Sequence, residues 1–375
     1  MARDERNGNG KVGRKAIERA LDRAQRGLDR LDRLHEIGST ATGHERLAQA
    51  AESSALLSSV WSVPPAERLL YRDGSVAGRA SEQVLKYASV GGDNQRAGNP
   101  VLAVLADRRW TLADIQGDET PGFHGDKDAG KRFVAISSTE IARYQQLLYA
   151  NGTRGDRRRL LIVLQGMDAS GKGGIVRHVF RQGDPMGIRY HGFGRPTPEE
   201  AAHDFLWRVR RALPGPGWIG VFDRSHYEDV VMPQVWDAAP EGLWRERCER
   251  INDFESELAA DGCAIIKIFL VGSRERQREH FLARLDDPTK RWKFDPSDMG
   301  ARERWDDYMA AWSRVFALTS TPAAPWHLVP ADNRWYSRAV VSELLRTTLA
   351  GFNMQWPPLA PDVDPDDIRR RLAEA

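Results

Sequence analysis

The chain has 375 residues, 41% of them hydrophobic and 29% charged, and its 55 Lys and Arg residues nearly balance 53 Asp and Glu residues, for a formal charge of +2. This composition excludes a chain that is disordered throughout, and the length suits one large α/β domain with an extension, or two ordinary domains. The balanced charge by itself gives no support for a nucleic acid or another polyanion as partner, because proteins that bind such partners usually carry a strongly basic domain.

The sequence contains no apolar run of the about 18 residues that a membrane span needs. The most apolar stretches are Leu160–Leu164 and Ala264–Val271, and Lys267 interrupts the second. The N-terminus lacks the apolar segment of a secretory signal, and the two cysteines, Cys248 and Cys263, offer neither a disulfide framework nor zinc-site spacing. We therefore expect a soluble, cytoplasmic protein that binds no membrane.

Residues 1–95 are predicted to form a helical, partly disordered N-terminal extension. From about Arg14 onwards, apolar residues recur in steps of four and three, at Ile17, Leu21, Ala24, Leu28 and Leu31. This seam lasts about two heptads, which is short for a coiled coil, so a partly ordered surface helix is favoured over an oligomerisation helix. Residues 96–134 are predicted to be a loop-rich connection, and Asp107 to Arg132 reads as loop because it is rich in Asp, Gly and Thr.

Strands alternate with helices over residues 135–356. The predicted strands are Leu160–Leu164, Ile188–His191, Trp218–Phe222, Ala264–Val271 and Trp326–Val329. The predicted helices cover 138–150, with a cap at Ser138 to Glu140, and 175–180, 198–213, 243–260, 274–285, 302–318 and 336–350. Strands that are buried on both faces and followed by helices predict an α/β fold, a three-layer doubly wound parallel sheet. Residues 357–375 are expected to form a surface tail.

A glycine-rich segment follows the first predicted strand. Gly166 to Lys172 reads G-x-x-x-x-G-K, and a predicted helix comes directly after it. In this context glycines let backbone N–H groups curl around phosphate oxygens, the helix N-terminus adds its dipole, and Lys172 supplies a mobile positive charge. The segment predicts a fold of the P-loop kinase type, with candidate phosphate contacts at Gly166, Met167, Ala169, Ser170, Gly171 and Gly173.

The loop departs from the usual motif at one position. Gly173 stands where most such loops place a Ser or Thr whose hydroxyl binds Mg²⁺. Asp168 inside the loop is a candidate replacement ligand, because a carboxylate beside polyphosphate needs a cation between the two negative charges, although it can also be a helix or turn cap. Asp223, at the end of the third predicted strand, is expected at the same edge of the sheet, and Arg224 beside it is a candidate to neutralise a phosphoryl group in transfer. The prediction is a Mg²⁺ site.

A basic stretch, residues 273–298, follows the fourth predicted strand. Its position is that of the lid that closes over phosphates in nucleoside kinases, and this reading is favoured over an ordinary solvated helix face. Candidate phosphate contacts within it are Arg284, Lys290, Arg291 and Lys293. His226 is expected to be a packed residue without a catalytic role, because no matching His or Cys set accompanies it.

These residues resemble the polyphosphate kinase 2 family. The resemblance rests on five segments in order, namely 164–172, 195–200, 223–229, 286–294 and 324–333, and covers roughly residues 135–355. It implies that Asp168 and Asp223 hold Mg²⁺ and that the phosphates are handled by Lys172, Arg177, Arg208, Arg224, Arg284, Lys290, Arg291 and Lys293. It also implies a cytoplasmic, oligomeric enzyme in which polyphosphate passes through a basic channel.

Two segments are similar to the branch of the family that phosphorylates both nucleoside mono- and diphosphates. They are residues 195–200 and 226–229, and Glu228 and Asp229 of the second are candidate nucleotide-binding residues. Many members of that branch carry Asn at the position of Asp223. The additional negative charge of Asp223 predicts that metal occupancy and the choice of acceptor differ from those of the branch. It disfavours monophosphates as acceptors.

The expected function is therefore Mg²⁺-dependent transfer of a phosphoryl group between inorganic polyphosphate and ADP/ATP or GDP/GTP, with AMP as a further candidate acceptor. The expected assembly is a homo-oligomer, and no nucleic acid is expected as partner. An ATP-dependent nucleoside or nucleotide kinase of the same fold is the main alternative. A nucleotide-controlled module that binds a protein partner is the alternative outside the enzymes.

Overall fold

The computed structural model describes residues 5–36, 52, 56–57, 61, 112, 115–123 and 125–375. Its centre is a parallel sheet of five strands in the order β2-β3-β1-β4-β5. The strands are β1 (Arg159–Gly166), β2 (Ile188–Gly192), β3 (Ile219–Asp223), β4 (Cys263–Val271) and β5 (Trp326–Pro330). Each predicted strand is present within two residues of its expected bounds. The α/β fold with a doubly wound parallel sheet is confirmed.

The register of the central strands places their carboxyl ends together. Leu164 of β1 lies opposite Asp223 of β3 on one side and Ile268 of β4 on the other. Leu160 to Leu164 are all buried, because helices cover both faces of the sheet. The loop that follows β1 and the turn that follows β3 therefore meet at one edge.

Helices surround the sheet, and two apolar cores fill the space on its two faces. The first helices are α1 (Glu5–Glu36), α2 (Lys127–Gly152), α3 (Lys172–Val179), α4 (Pro198–Ala201), α5 (Trp207–Ala212) and α6 (Glu228–Val235). They are followed by α7 (Glu241–Ala260), α8 (Arg274–Asp286), α9 (Ser297–Glu303), α10 (Trp305–Thr319), α11 (Arg334–Gly351) and α12 (Pro365–Glu374). No helix among the described residues has both the length and the apolar content to cross a membrane.

The loop predicted before the first strand ends earlier in the structure than expected. Helix α2 begins at Lys127, about one turn and a half before the expected end of the loop at Arg132, and the cap predicted at Ser138 to Glu140 lies inside the helix. The Asp126 side chain accepts hydrogen bonds from the backbone N–H groups of Asp128 and Ala129, at 3.1 and 3.0 Å. Asp126 is therefore the true N-cap. Gly130, inside the helix, is tolerated because it packs against Trp335.

Two further helix predictions were wrong in detail. The single helix expected over 198–213 is two short helices, α4 and α5, and the first begins with a capping box between Thr197 and Glu200. Helices α6 and α9 were not predicted. Pro233 lies inside α6 and Gly300 inside α9, and both residue types disfavour the interior of a helix. The expected tail, residues 357–375, contains α12, whose residues are exposed or half-exposed.

The apolar stripe of α1 packs against the rest of the chain. Ile17, Leu21, Ala24 and Leu28 belong to the core on the α2 side of the sheet. Arg132 of α2 forms ion pairs with Glu18 and Asp22 of α1. The expectation of a surface helix was therefore incomplete, since this stripe packs on the chain itself. Most of the predicted extension after residue 36 lies outside the described residues.

A buried ionic cluster supports the turn after β3. Lys267 of β4 donates hydrogen bonds to Glu255 Oε2 at 2.6 Å, to the Tyr227 hydroxyl at 2.8 Å and to the Thr319 carbonyl at 2.8 Å. Tyr227 in turn donates to Glu255 Oε1 at 2.8 Å. His226 is fully buried beside this cluster, with Nε2 3.5 Å from Glu255, so its prediction as a packed residue is confirmed.

Candidate active site

The P-loop (166–172) takes the strongly curved path that its glycines permit. Gly166 and Gly171 have φ values of +141° and +110°, and Ala169 has +65°. At Gly166 a Cβ would lie 2.8 Å from the Ser170 hydroxyl oxygen and 2.9 Å from the Leu270 carbonyl oxygen, so only glycine fits there. A loop that wraps a phosphate group requires this curvature.

Lys172 and Gly173 open the helix that follows the loop. Lys172 Nζ donates to the Gly166 carbonyl at 2.7 Å, which folds the ammonium group back over the loop. A Cβ at Gly173 would meet no atom of the described residues within 4 Å. The missing Ser or Thr hydroxyl is therefore not a consequence of crowding, and other groups must supply any metal ligands.

Asp168 and Arg224 form an ion pair across the edge of the sheet. Arg224 Nη2 donates to Asp168 Oδ1 at 2.6 Å. Burial raises the pKa of Asp168, but the positive charges of Lys172 and Arg224 outweigh it and hold that pKa below its ordinary value. The carboxylate is ionised in the working pH range.

Asp223 has a different partner. The Tyr190 hydroxyl of β2 donates to Asp223 Oδ2 at 3.0 Å. Burial, together with the nearby charge of Asp223, raises the pKa of Tyr190 to about 12, so the phenol remains a hydrogen-bond donor. Asp168 and Asp223 each keep one oxygen without a hydrogen bond to the described residues.

An open cavity of about 680 Å³, here called the P-loop cavity, brings most of the predicted site together. Of the residues predicted from the sequence, those that line it are Asp168, Ala169, Ser170, Gly171, Lys172, Gly173, Arg177, Asp223, Arg224, Arg284, Lys290 and Lys293. Arg291 is not among its lining residues, and its Nε donates instead to the Leu285 carbonyl at 2.7 Å.

The predicted lid consists of an anchored part and an exposed part. Gln277 of α8 donates to the Asp168 carbonyl at 3.0 Å, and the ring of His280 lies 3.0 Å from the Ala169 carbonyl. Helix α8 is thus bonded to the P-loop and forms a wall of the cavity. The 3₁₀ turn Arg291–Lys293 is exposed, with Trp292 78% accessible, and its Arg291 and Trp292 side chains donate to the nearby Leu285 and Thr289 carbonyls.

A second cavity of about 600 Å³, here called the aromatic cavity, adjoins the first. Its apolar wall consists of Phe193, Met232, Trp236, Tyr308 and Trp312, and the predicted residues that line it are Gly166, Met167, Asp168, Arg208, Arg224, Glu228 and Asp229. Three residues, Asp168, Phe193 and Arg224, line both cavities. The Asp168–Arg224 pair therefore stands at their junction.

The charged groups of the aromatic cavity are largely paired. Arg208 donates to Asp229 Oδ2 at 3.0 Å and to the Gly194 carbonyl at 2.9 Å. Burial raises the pKa of Glu228, and the opposing effects of Arg224 and Lys172 are weaker. The two hydrogen bonds of Arg208 hold it in one orientation, with Asp229 as its counter-ion.

The sequence did not single out several residues that line these cavities. They are Tyr190, Phe193, Trp236, His280, Asp295, Asp298, Tyr308, Trp312, Arg334, Ser337 and Arg338. Arg334 and Arg338 are one helical turn apart and follow Asn333, the last residue of the fifth matched segment, so a signal for them was available. The aromatic wall carries no such signal, because its residues come from separate elements.

Known proteins are similar to this chain in sequence. The model of the family "Polyphosphate kinase 2" matches residues 124–356. The chain is 41% identical over 254 residues to an AMP/ADP-polyphosphate phosphotransferase of Meiothermus ruber, covering 68% of this chain and 94% of the relative. It is 38% identical to an ADP-polyphosphate phosphotransferase of Rhodopseudomonas palustris, covering 64% and 86%.

A solved structure agrees with these relatives. The crystal structure of polyphosphate kinase 2 from Arthrobacter aurescens superposes with a TM-score of 0.70 at 42% identity, over 74% of this chain and 98% of that one. The sheet, the P-loop and the sequence matches thus lead to one conclusion. This chain belongs to the polyphosphate kinase 2 family.

Proposed function

We propose that the chain transfers the terminal phosphoryl group of polyphosphate, bound in the P-loop cavity, to a nucleoside diphosphate bound in the aromatic cavity. Membership of the family makes the chain a polyphosphate:nucleotide phosphotransferase. The observation that carries the finer assignment is the junction of the two cavities at Asp168 and Arg224. A donor and an acceptor placed on either side of this pair would have their reacting phosphates side by side.

Charge supports the placement of polyphosphate. The P-loop cavity presents the cations of Lys172, Arg177, Arg284, Lys290 and Lys293. A polyanion without a base or a sugar needs little else for binding, because its recognition is electrostatic. This assignment also accounts for a net charge of only +2, since the cations are concentrated at one cavity while acidic residues balance them elsewhere.

Shape and polarity support the placement of the nucleotide. A purine ring is flat and apolar on its faces, and Trp236, Tyr308 and Trp312 offer aromatic surface for it. Arg208, fixed by Asp229, is placed to contact phosphate or sugar oxygens. We infer that the base lies against the aromatic wall and the phosphates point towards Arg224.

The carboxylates fit a magnesium ion. Asp168 and Asp223 line one cavity, and each retains one oxygen that no hydrogen bond to the described residues occupies. Mg²⁺ is usually held by one or two carboxylates and completed by water and substrate phosphates, and the described residues offer no cluster of three metal-ligating side chains. We propose that Asp168 and Asp223 hold it. When bound, Mg²⁺ would neutralise phosphate charge during transfer.

The side chains of the chain would perform the remaining work. A phosphate oxygen of the acceptor is already ionised, so the transfer needs no general base and no covalent enzyme intermediate. Lys172 would leave the Gly166 carbonyl and bind the donor phosphates, Arg224 would stabilise the phosphoryl group between donor and acceptor, and Lys290 and Lys293 would cover the site and exclude water.

Steady-state assays test this proposal. ADP, long-chain polyphosphate and Mg²⁺ are supplied without ATP, and ATP formation is measured. We expect ATP to form; an ATP-dependent kinase would form none, and that result would refute the proposal. A parallel panel of AMP, GMP and GDP assigns the acceptor, and we expect diphosphates to be preferred because Asp223 adds a negative charge close to where the phosphate of a monophosphate would lie.

The proposed setting follows from the substrates. We infer a cytoplasmic enzyme, since nucleotides are found there and Cys248 and Cys263 are both buried free thiols. A homo-oligomer remains a prediction from the family resemblance, and light scattering measures it directly.

A further inference from the structure

Ala169 of the P-loop has a left-handed backbone conformation, which alanine disfavours. Its φ is +65°, and the two other P-loop residues with positive φ, Gly166 and Gly171, are glycines. A Cβ makes this region unfavourable, and a residue other than glycine keeps it only where the surrounding structure holds it there. The conformation of Ala169 therefore needs contacts that fix it.

Two side chains of α8 bond to the carbonyl groups on either side of the Ala169 Cα. Gln277 Nε2 donates to the Asp168 carbonyl at 3.0 Å, and His280 Nδ1 lies 3.0 Å from the Ala169 carbonyl. These carbonyls belong to the peptide groups immediately before and after the Cα of Ala169. Fixing both groups restricts φ and ψ of this residue together.

The ring of His280 is oriented by two partners. A carbonyl only accepts, so Nδ1 carries the proton and donates to Ala169. Nε2 then accepts from Arg334, whose Nη2 lies 2.5 Å away. Burial, with the charge of Arg334, lowers the pKa of His280, which keeps the ring neutral and lets Nε2 accept. One defined nitrogen of His280 therefore serves the P-loop.

Gln277 is also fixed by the fold. The residue is buried, with 4% of it exposed, and Arg302 Nη1 donates to its Oε1 at 3.2 Å. Because the amide oxygen accepts from Arg302, the amide nitrogen faces the Asp168 carbonyl. The start of α8 is held as well, since the backbone N–H of Ser273 donates to Asp332 Oδ1 at 2.9 Å. Helix α8 thus presents its two donors to the P-loop from a fixed position.

The bond to Gln277 also determines the direction of the Ala169 N–H group. The peptide bond between Asp168 and Ala169 is trans and planar, so this N–H points opposite to the Asp168 carbonyl and away from Gln277. None of the hydrogen bonds among the described residues uses this N–H. Ala169 lines the P-loop cavity and Gln277 does not, so the N–H is available to a phosphate oxygen in that cavity.

We propose that Gln277 and His280 are positioning residues, which hold Ala169 in its left-handed conformation and so shape the P-loop for a phosphate group. This inference rests on the proposed function. Gln277 acts through Ala169 and touches no phosphate itself. Without its bond, Ala169 relaxes towards negative φ and its N–H turns away from the phosphate position. A ligand would then have to restore the loop, which lowers its affinity.

The variant Gln277→Met tests this role, because it keeps the length of the side chain and removes the donor. Binding of tripolyphosphate is measured by calorimetry without nucleotide, and kcat and KM are measured with ADP and long-chain polyphosphate. We expect Kd for tripolyphosphate to rise about tenfold and kcat/KM for polyphosphate to fall by a similar factor. The KM for ADP should change by less than about threefold.

A glycine at position 169 separates positioning from a general loss of stability. Glycine adopts positive φ readily, so the P-loop of Ala169→Gly depends less on Gln277. In the Ala169→Gly background, Gln277→Met should raise Kd for tripolyphosphate by less than about threefold. A merely structural role of Gln277 predicts the same loss in both backgrounds.

Two substitutions test His280 in the same way. His280→Asn and His280→Leu both remove the ring nitrogen that accepts from Arg334. Only asparagine keeps an N–H near the position of Nδ1, from which it can donate to the Ala169 carbonyl. We expect His280→Asn to bind tripolyphosphate at least about threefold more tightly than His280→Leu.

Gln145 of α2 provides a matched control. It is 1% exposed, its Nε2 donates to the Met186 carbonyl at 2.8 Å, and it lines neither cavity. Gln145→Met removes an equivalent buried hydrogen bond and should lower the free energy of unfolding as Gln277→Met does. Its Kd for tripolyphosphate should stay within about twofold of wild type.

Several outcomes would decide against the proposal. Wild-type affinity of Gln277→Met, or equal losses with Ala169 and Gly at position 169, would remove Gln277 from this role. Equal affinities of His280→Asn and His280→Leu would do the same for His280, and this pair decides if Gln277→Met does not fold. These results leave the proposed function intact, provided that the wild-type chain forms ATP from ADP and polyphosphate. A wild-type chain that forms no ATP overturns the proposed function, and one that binds no tripolyphosphate overturns the positioning role.

Discussion

Arg224 and Asp168 form an ion pair of 2.6 Å between the turn after β3 and the P-loop after β1. Arg224 has φ of +62°, and its backbone N–H donates to the Leu164 carbonyl at 3.0 Å, which ties the turn to the end of β1. A residue in this strained backbone region is tolerated where the surrounding structure holds it, here through the buried Tyr227 three positions along. The pair determines which oxygen of Asp168 remains available.

The first prediction concerns this carboxylate. Asp168→Asn preserves the shape of the side chain but removes the charge that would hold Mg²⁺, so kcat should fall by roughly 100-fold or more. Steady-state rates over a range of Mg²⁺ concentrations measure the effect. Asp362→Asn in the exposed tail is the matched control and should behave as wild type. Near-normal turnover of a folded Asp168→Asn variant would remove Asp168 from the site.

The second prediction separates the basic residues of the exposed turn. Lys290 and Lys293 line the P-loop cavity, whereas Arg291 bonds to the Leu285 carbonyl. Lys290→Ala and Lys293→Ala should each lower kcat/KM for polyphosphate by about tenfold, and Arg291→Ala by less than about threefold. The three variants remove equal charge, so an equal loss in all of them would contradict this division and favour a general electrostatic effect.

The third prediction concerns the buried cluster beneath the turn. Lys267→Met leaves Glu255 buried without its cation, and the free energy of unfolding should fall by about 3–5 kcal/mol. Denaturant unfolding measures it. The double variant Lys267→Met/Glu255→Leu removes both charges and should recover part of the loss. A single variant that loses less than about 1 kcal/mol would show that the pair does not stabilise the fold.

The fourth prediction concerns the pH dependence of stability. Burial, together with the charge of Lys267, lowers the pKa of His327 to about 3, whereas in the unfolded chain it is about 6.5. Between these two values the unfolded state binds a proton that the native state does not, so stability falls as the pH decreases from about 6.5 towards 3.

The measurement is the free energy of unfolding at about pH 7.5 and about pH 5.5. His327 should contribute a loss of about 1.4 kcal/mol over this interval. His327→Gln lacks the titrating group, so its loss should be smaller than that of wild type by this amount. Equal losses in both proteins would mean that His327 titrates in the native state as well.

A tertiary contact overrides the local sequence signal at the start of α2. Lys127 to Arg132 contain Gly130 and looked like loop, yet they form the first turns of α2 because Asp126 caps the helix and Trp335 packs over Gly130. Helix α6 contains Pro233 and was missed, although a proline is compatible with a short helix that packs on its neighbours. At Gly130 the compensating residue, Trp335, is distant in the sequence.

The amino-acid sequence by itself determined the five strands, the parallel sheet and the P-loop, because apolar runs and the contiguous 166–172 motif are local properties of the chain. It also indicated Asp223 and Arg224, since strands of a parallel sheet end at a common edge. Only the tertiary structure decided that Arg224 pairs with Asp168, that Arg291 points away from the cavity, and that Gln277 and His280 bond to the P-loop. Those relationships depend on strand register and helix packing, which bring together residues that are far apart in the chain.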